Sequence, residues 1–187
     1  MNLILIGPPG AGKGTQAKYL VKKLKNFQVS TGDMLRDEIQ KNSEIGKKIL
    51  DDMSNGKFVQ DNIVNKLIEN ILLDSDKKGR LIFDGYPRSL SQAKNLEQLL
   101  IKTNQKIDFI FFLNVSKDTI IKRIEQRKII EKRSDDDLET IIKRYETYME
   151  TTKPVLDFYR KNSKFYEIDG SSKIDEITAK IEAFLNV

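Results

Sequence analysis

Apolar residues along this chain follow two rhythms. Short, nearly uninterrupted apolar runs at Asn2–Ile6, Phe27–Ser30, Arg80–Asp84, Ile107–Asn114 and Lys164–Asp169 predict five β-strands. Between them lie longer stretches at helical spacing. Ile63, Val64, Leu67, Ile68, Ile71 and Leu72 fall on one helix face, and Ile174, Ile177, Ile181, Phe184 and Leu185 on another near the end. Strands apolar on both faces and separated by helices predict a parallel sheet covered on both sides, the doubly wound α/β class. Two regions break the rhythm. Residues 31–62 offer two successive helical stretches with no strand between them, which predicts a small helical appendage. Residues 128–132 precede a Ser134-x-x-Asp137 pattern expected to cap the next helix, and leave room only for a short flap. The chain shows no repeat or linker, and 187 residues with 39% apolar content suit a single core.

Directly after the first strand comes Gly7-Pro8-Pro9-Gly10-Ala11-Gly12-Lys13-Gly14-Thr15, followed by a helical stretch. Strand, glycine-rich loop and helix are the context of a phosphate-binding P-loop. Glycines let successive N–H groups turn inward on phosphate oxygens, and the helix N-terminus adds its positive end. Lys13 is placed to set an ammonium on the β- and γ-phosphates. The bland alternative, a Gly/Pro turn, requires a rare chance match. One departure stands out: Gly14 follows Lys13 and the hydroxyl comes at Thr15, so a direct bond from Thr15 to magnesium stays open.

A P-loop alone indicates only a nucleoside triphosphate. After the third strand, Asp84-Gly85-Tyr86-Pro87-Arg88 places a carboxylate at a buried strand end, which suits magnesium held through water. Its plainer reading is a turn-capping Asp. Ser30-Thr31-Gly32-Asp33-Met34-Leu35-Arg36 follows the second strand, with a capping box from Ser30 to Asp33 and an Arg one turn into the helix.

The absence of Cys and His excludes a thiol nucleophile, a Cys/His zinc site and a histidine base. The net charge of +5 is built from 25 Lys and only eight Arg, so each Arg merits inspection for the planar fork that grips phosphate. Arg123 and Arg127, four apart, share a helix face. The Lys are scattered among acids with no aromatic-rich basic strand, against a nucleic-acid partner. No secretory pattern and no run near the roughly 20 apolar residues of a membrane span occur, so a cytoplasmic protein without a membrane partner is expected.

Four segments together resemble the nucleoside monophosphate kinases, and within them the adenylate kinase family: GPPGAGKGTQ at 7–16, STGDMLR at 30–36, DGYPR at 84–88 with Gln92, and RKIIEKRSDDDLETIIKRYETY at 127–148. The resemblance implies one P-loop kinase domain over 1–187, with a monophosphate-binding segment at 30–59 and a short lid near 126–136. It implies reversible transfer of the terminal phosphoryl group of ATP to AMP, giving two ADP, with Mg2+ and no zinc. Gly10, Ala11, Gly12, Lys13, Gly14 and Thr15 then hold ATP phosphates, with Arg123 and Arg127, and the Ser172 backbone touches the ATP base. Thr31, Arg36, Lys57, Phe58, Val59, Gly85, Tyr86, Pro87, Arg88, Gln92, Arg133 and Arg144 form the AMP site. Lys13, Arg88, Arg127, Arg133 and Arg144 are the expected catalytic residues. Six of the eight Arg fall on these positions. The lid, with no Cys, is expected to be metal-free, and the protein a monomer. Two rivals are a pyrimidine (UMP or CMP) kinase, which tends to carry Ala and Asn where this chain has Thr31 and Gln92, and a P-loop GTPase switch. The switch needs Asn-Lys-x-Asp, whereas Asn65-Lys66-Leu67-Ile68 lies in a helical pattern and lacks the Asp.

Overall fold

The computed structural model describes residues 1–131, 137–161 and 164–187. All five predicted strands form: β1 (Leu3–Ile6), β2 (Phe27–Ser30), β3 (Leu81–Asp84), β4 (Phe109–Asn114) and β5 (Phe165–Asp169). They make one parallel sheet in the order β2-β3-β1-β4-β5. The chain leaves β1 in one direction to reach β2 and later crosses to β4 on the other side. That reversal opens a crevice at the C-terminal ends of the central strands.

Alternation along each strand explains the uniform apolarity. Ile4, Ile6, Phe83, Ile110 and Phe112 face one layer, formed by α2 (Thr31–Gln40), α3 (Glu44–Ser54), α4 (Asp61–Leu72), α5 (Leu90–Lys102) and α8 (Lys153–Tyr159). Leu3, Leu5, Ile82, Phe111 and Leu113 face the other, formed by α1 (Lys13–Leu24), α6 (Lys117–Glu131), α7 (Leu138–Thr147) and α9 (Ile174–Leu185). Each fully buried large side chain contributes about 1.5–3 kcal/mol, and the central strands are buried throughout. Among the described residues, no helix is long and apolar enough to cross a membrane.

The expected helical appendage is the pair α2 and α3. Ser30 caps α2 by accepting the Asp33 N–H at 3.3 Å, and Ser43 caps α3 by accepting the Gly46 N–H at 2.9 Å. The two helices meet so closely at Gly46 that a Cβ there would lie 2.2 Å from the Glu38 carbonyl oxygen.

One helix start differs from expectation. Asp137, read as the far half of a capping box begun at Ser134, is itself the N-cap of α7, and its carboxylate accepts the Thr140 N–H at 3.0 Å. An Asp in that extended conformation satisfies the first-turn N–H directly and needs no partner three residues earlier. Between α7 and α8 the helix widens into a single π turn, Tyr148–Thr152. Pro154 follows, and its missing N–H deprives the ordinary α-helical ladder of a donor at this point.

Candidate active site

A cleft of about 500 Å³ opens at the C-terminal ends of the strands. The loop after β1, the α6 face, residues 56–59, Gly85, Arg88 and Arg144 line it. Gly12 is the N-cap of α1 in the left-handed conformation at φ 94°, with no side-chain cap and no acidic residue in the first turn. The helix therefore presents its N–H groups and positive end to whatever anion enters. Gly10, at φ +77°, lies against α6, where an added Cβ would sit 2.8 Å from Ile124 Cγ1. Arg123 and Arg127, on either side of Ile124, both line the cleft, as their spacing predicts.

Lys13 is half-buried as a side chain, but its ammonium turns inward and donates to the Gly7 and Pro8 carbonyls, each at 2.8 Å. Burial lowers its pKa to about 7. Asp84 opposes the shift, while Arg88, Arg144 and Arg127 add to it. Four cationic side chains thus converge on one point with one carboxylate beside them, an arrangement that a polyanion would relieve.

Asp84 ends β3 and is 9% exposed. Its Oδ2 accepts from Gln28 Nε2 at 2.9 Å, and Gly14 passes over it so closely that a Cβ at 14 would lie 3.2 Å from that oxygen. The site fits a magnesium ion held by one carboxylate, water and phosphate, since such ions keep most of their water shell. Among the described residues, no group of three or more acidic side chains gathers to form a metal cage.

Arg88 follows the Gly85-Tyr86-Pro87 turn, in which the Tyr86–Pro87 bond is cis. Its Nε donates to the Gly85 carbonyl at 2.7 Å, and its guanidinium lies over the Phe58 ring at 5.2 Å. The Thr31 hydroxyl donates to the same Gly85 carbonyl at 2.8 Å. Arg36, also on the cleft wall, pairs with Asp33. Lys57, Phe58 and Val59 line the cleft opposite the loop after β1. Pro87 lines a smaller annex of about 60 Å³ that adjoins Lys13, Arg88 and Arg144 and is backed by Tyr148 and Thr152.

Several expected contacts do not lie on the main cleft. Thr31, Tyr86 and Gln92 are buried behind its wall, and Ser172 stands off the lining between β5 and α9. The amide of Gln92, expected to face a base, has protein partners at both ends. Oε1 accepts the Arg88 N–H and Nε2 donates to Asp61, both at 2.7 Å. Arg133 and the rest of the expected lid over residues 132–136 fall outside the described residues.

The family model for adenylate kinase matches residues 5–164. The chain belongs to the adenylate kinase family. An adenylate kinase of Pelagibacter ubique (strain HTCC1062) is 50% identical, with all of both chains covered. One from Caulobacter sp. (strain K31) is 43% identical over all of this chain and 99% of its own. One from Mycoplasma mycoides is 42% identical over 96% of this chain and 94% of its own. Within this adenylate kinase-family chain, three polar residues that the motifs did not single out hold the site residues in place. Gln28 holds Asp84, Asp61 holds Gln92, and the Thr152 hydroxyl donates to the Arg88 carbonyl at 2.9 Å. Nothing at those positions marks them in sequence, because each acts across the fold.

Proposed function

We infer that this protein transfers the terminal phosphoryl group of ATP to AMP, reversibly, giving two ADP. The observation that carries this reading is the convergence of Lys13, Arg88, Arg127 and Arg144 on one cleft that opens beside an uncapped P-loop helix. Two polyanions must meet end to end there, and cations on both sides of the junction offset their repulsion. Phosphoryl transfer passes through a loose transition state that asks for positioning and charge stabilisation rather than a nucleophilic side chain. A chain without His or Cys is suited to that chemistry.

In the proposed roles, residues 10–15 cradle the donor phosphates and Arg123 and Arg127 grip them from α6. Lys13 swings from the Gly7 and Pro8 carbonyls onto the γ-phosphate. Arg36, Arg88 and Arg144 hold the acceptor phosphate, with Lys57, Phe58 and Val59 along its side of the cleft. The AMP site would extend through Thr31, Gly85, Tyr86, Pro87 and Gln92, and Arg133 would complete the clamp from the lid. Asp84 would hold magnesium through water, and that ion, when bound, neutralises charge on the donor phosphates. Segment 30–59 and the short segment near 126–136 are the parts proposed to close, excluding water that would otherwise attack the same phosphate.

Product analysis tests the reading. Incubation with Mg2+, ATP and AMP should convert one of each into two ADP, with no inorganic phosphate released. Release of phosphate without ADP gain from AMP would make the protein an ATPase and overturn the assignment.

A further inference from the structure

Arg88 is clamped from four sides. Gln92 Oε1 accepts its N–H, the Gly85 carbonyl accepts its Nε–H, Phe58 lies under its guanidinium, and the Thr152 hydroxyl donates to its carbonyl at 2.9 Å. The first three come from the start of α5, from its own loop and from the facing wall. Thr152 comes from 64 residues further along the chain. It closes the π turn at the point where the helix leaves one core cluster, that of Ile141 and Tyr145, and joins the other, that of Val155, Leu156 and Tyr159. Thr152 is 4% exposed and lines the annex beside Lys13, Arg88 and Arg144. A π turn in an otherwise α-helical stretch is a costly local geometry that recurs at functional sites.

We propose that Thr152 is a positioning residue for the phosphoryl acceptor, acting through Arg88. The inference rests on the reading that Arg88 grips the AMP phosphate. With Gln92 on the N–H and Thr152 on the carbonyl, both peptides flanking the Arg88 Cα are fixed, and so is the direction in which the side chain leaves the backbone. The Nε contact to Gly85 then needs no search among rotamers. Without the Thr152 hydroxyl, the carbonyl of the peptide joining Arg88 to Ser89 loses the donor that reaches it from the π turn, and rotation of that peptide would carry the guanidinium out of line. Misplacement of about 1 Å in a positioning group costs up to about a hundredfold in rate. The plain structural alternative is that Thr152 only satisfies a buried carbonyl, in which case its loss lowers stability and leaves ligand recognition alone.

The test compares Thr152→Val, which keeps the shape and removes the hydroxyl, with Thr152→Ser, which keeps the hydroxyl, each in the full chain. Calorimetry gives AMP and ATP affinities separately, and NMR follows solvent exchange of the Arg88 Nε–H in the ligand-free protein. The proposal expects Thr152→Val to weaken AMP about tenfold, hold ATP affinity within about twofold and speed Nε–H exchange, with Thr152→Ser close to wild type. In an Arg88→Lys background, Thr152→Val should have no further effect on AMP. A lower melting temperature with unchanged AMP affinity and unchanged exchange would overturn it, as would equal loss of AMP and ATP. Failure of the wild type to bind AMP would remove the acceptor reading on which the proposal rests, and is told apart from failure of the clamp by the exchange measurement.

Discussion

Nucleotide binding should draw a proton from solvent, and Lys13 is the group that takes it up. In the ligand-free cleft its pKa is lowered to about 7 by burial, against Asp84 and with the help of three arginines. At pH 8 about nine-tenths of the molecules therefore carry neutral Lys13, and at pH 6 about one-tenth. Triphosphate placed beside the ammonium restores the charged form, so binding takes up about 0.9 proton at pH 8 and about 0.1 at pH 6. Affinity for the donor should fall about tenfold for each pH unit above 7 until the bound form itself loses its proton. Titration calorimetry of Mg·ATP in buffers of differing protonation enthalpy reads the uptake directly, with Lys13→Met as the control that abolishes it. The fold carries the same linkage. Unfolded Lys13 keeps its ordinary pKa of 10.5, so between about 7 and 10.5 the unfolded chain binds more protons, and the stability of the ligand-free protein should rise with pH through that window. The charged lysine destabilises the empty cleft below pH 7 by at most about 5 kcal/mol, a bound that solvent screening reduces. Heats independent of buffer at pH 8, or equal uptake by Lys13→Met, would refute the reasoning.

Lys13→Met should reduce turnover at least about a thousandfold while leaving the melting temperature unchanged or raised, because it removes transition-state charge stabilisation and an internal repulsion together; near-normal turnover would contradict its role. Gly46→Ala should loosen α3 from α2, since its Cβ would lie 2.2 Å from the Glu38 carbonyl oxygen, and so raise KM for AMP severalfold with donor affinity retained; equal loss of both would show that segment 30–59 does not act as a unit. Gln92→Ala removes the acceptor of the Arg88 N–H and one of the two donors to Asp61, so it should lower stability by about 1–3 kcal/mol in thermal unfolding and also weaken AMP recognition; loss of either effect alone would separate its two roles. A chelator of divalent ions should stop transfer by the wild type, and full activity in its presence would contradict the placing of Asp84 beside the donor phosphates.

The fold was legible because its determinants are local. Ile4 and Phe83 sit in strands whose neighbours are also apolar, so their runs announce a sheet buried on both faces. The P-loop was legible for a related reason, since its glycines and its lysine lie within nine consecutive residues and the helix begins among them. Long-range hydrogen bonds were not. Gln28 lies in a strand whose pattern says only that it is extended, yet its amide fixes Asp84, 56 residues away. Asp61 reads as an ordinary acidic residue opening α4, yet it receives both Gln92 Nε2 and the Ser89 hydroxyl. The π turn at Tyr148–Thr152 leaves no periodic trace either, because Pro154 is equally compatible with a simple break in the helix. Gln92 shows the limit from the other side. A carboxamide near the acceptor loop reads as a donor–acceptor pair for a base, whereas the structure gives both ends a protein partner as well.

Acceptor selectivity is the most direct test of the central claim. With Mg·ATP held constant, kcat/KM for AMP, CMP, UMP and GMP should be measured in one coupled assay on the wild-type chain. AMP should exceed CMP and UMP by at least about a hundredfold, since a site built to pair polar groups with one base leaves them unpaired with another. Comparable efficiency with CMP or UMP would contradict it.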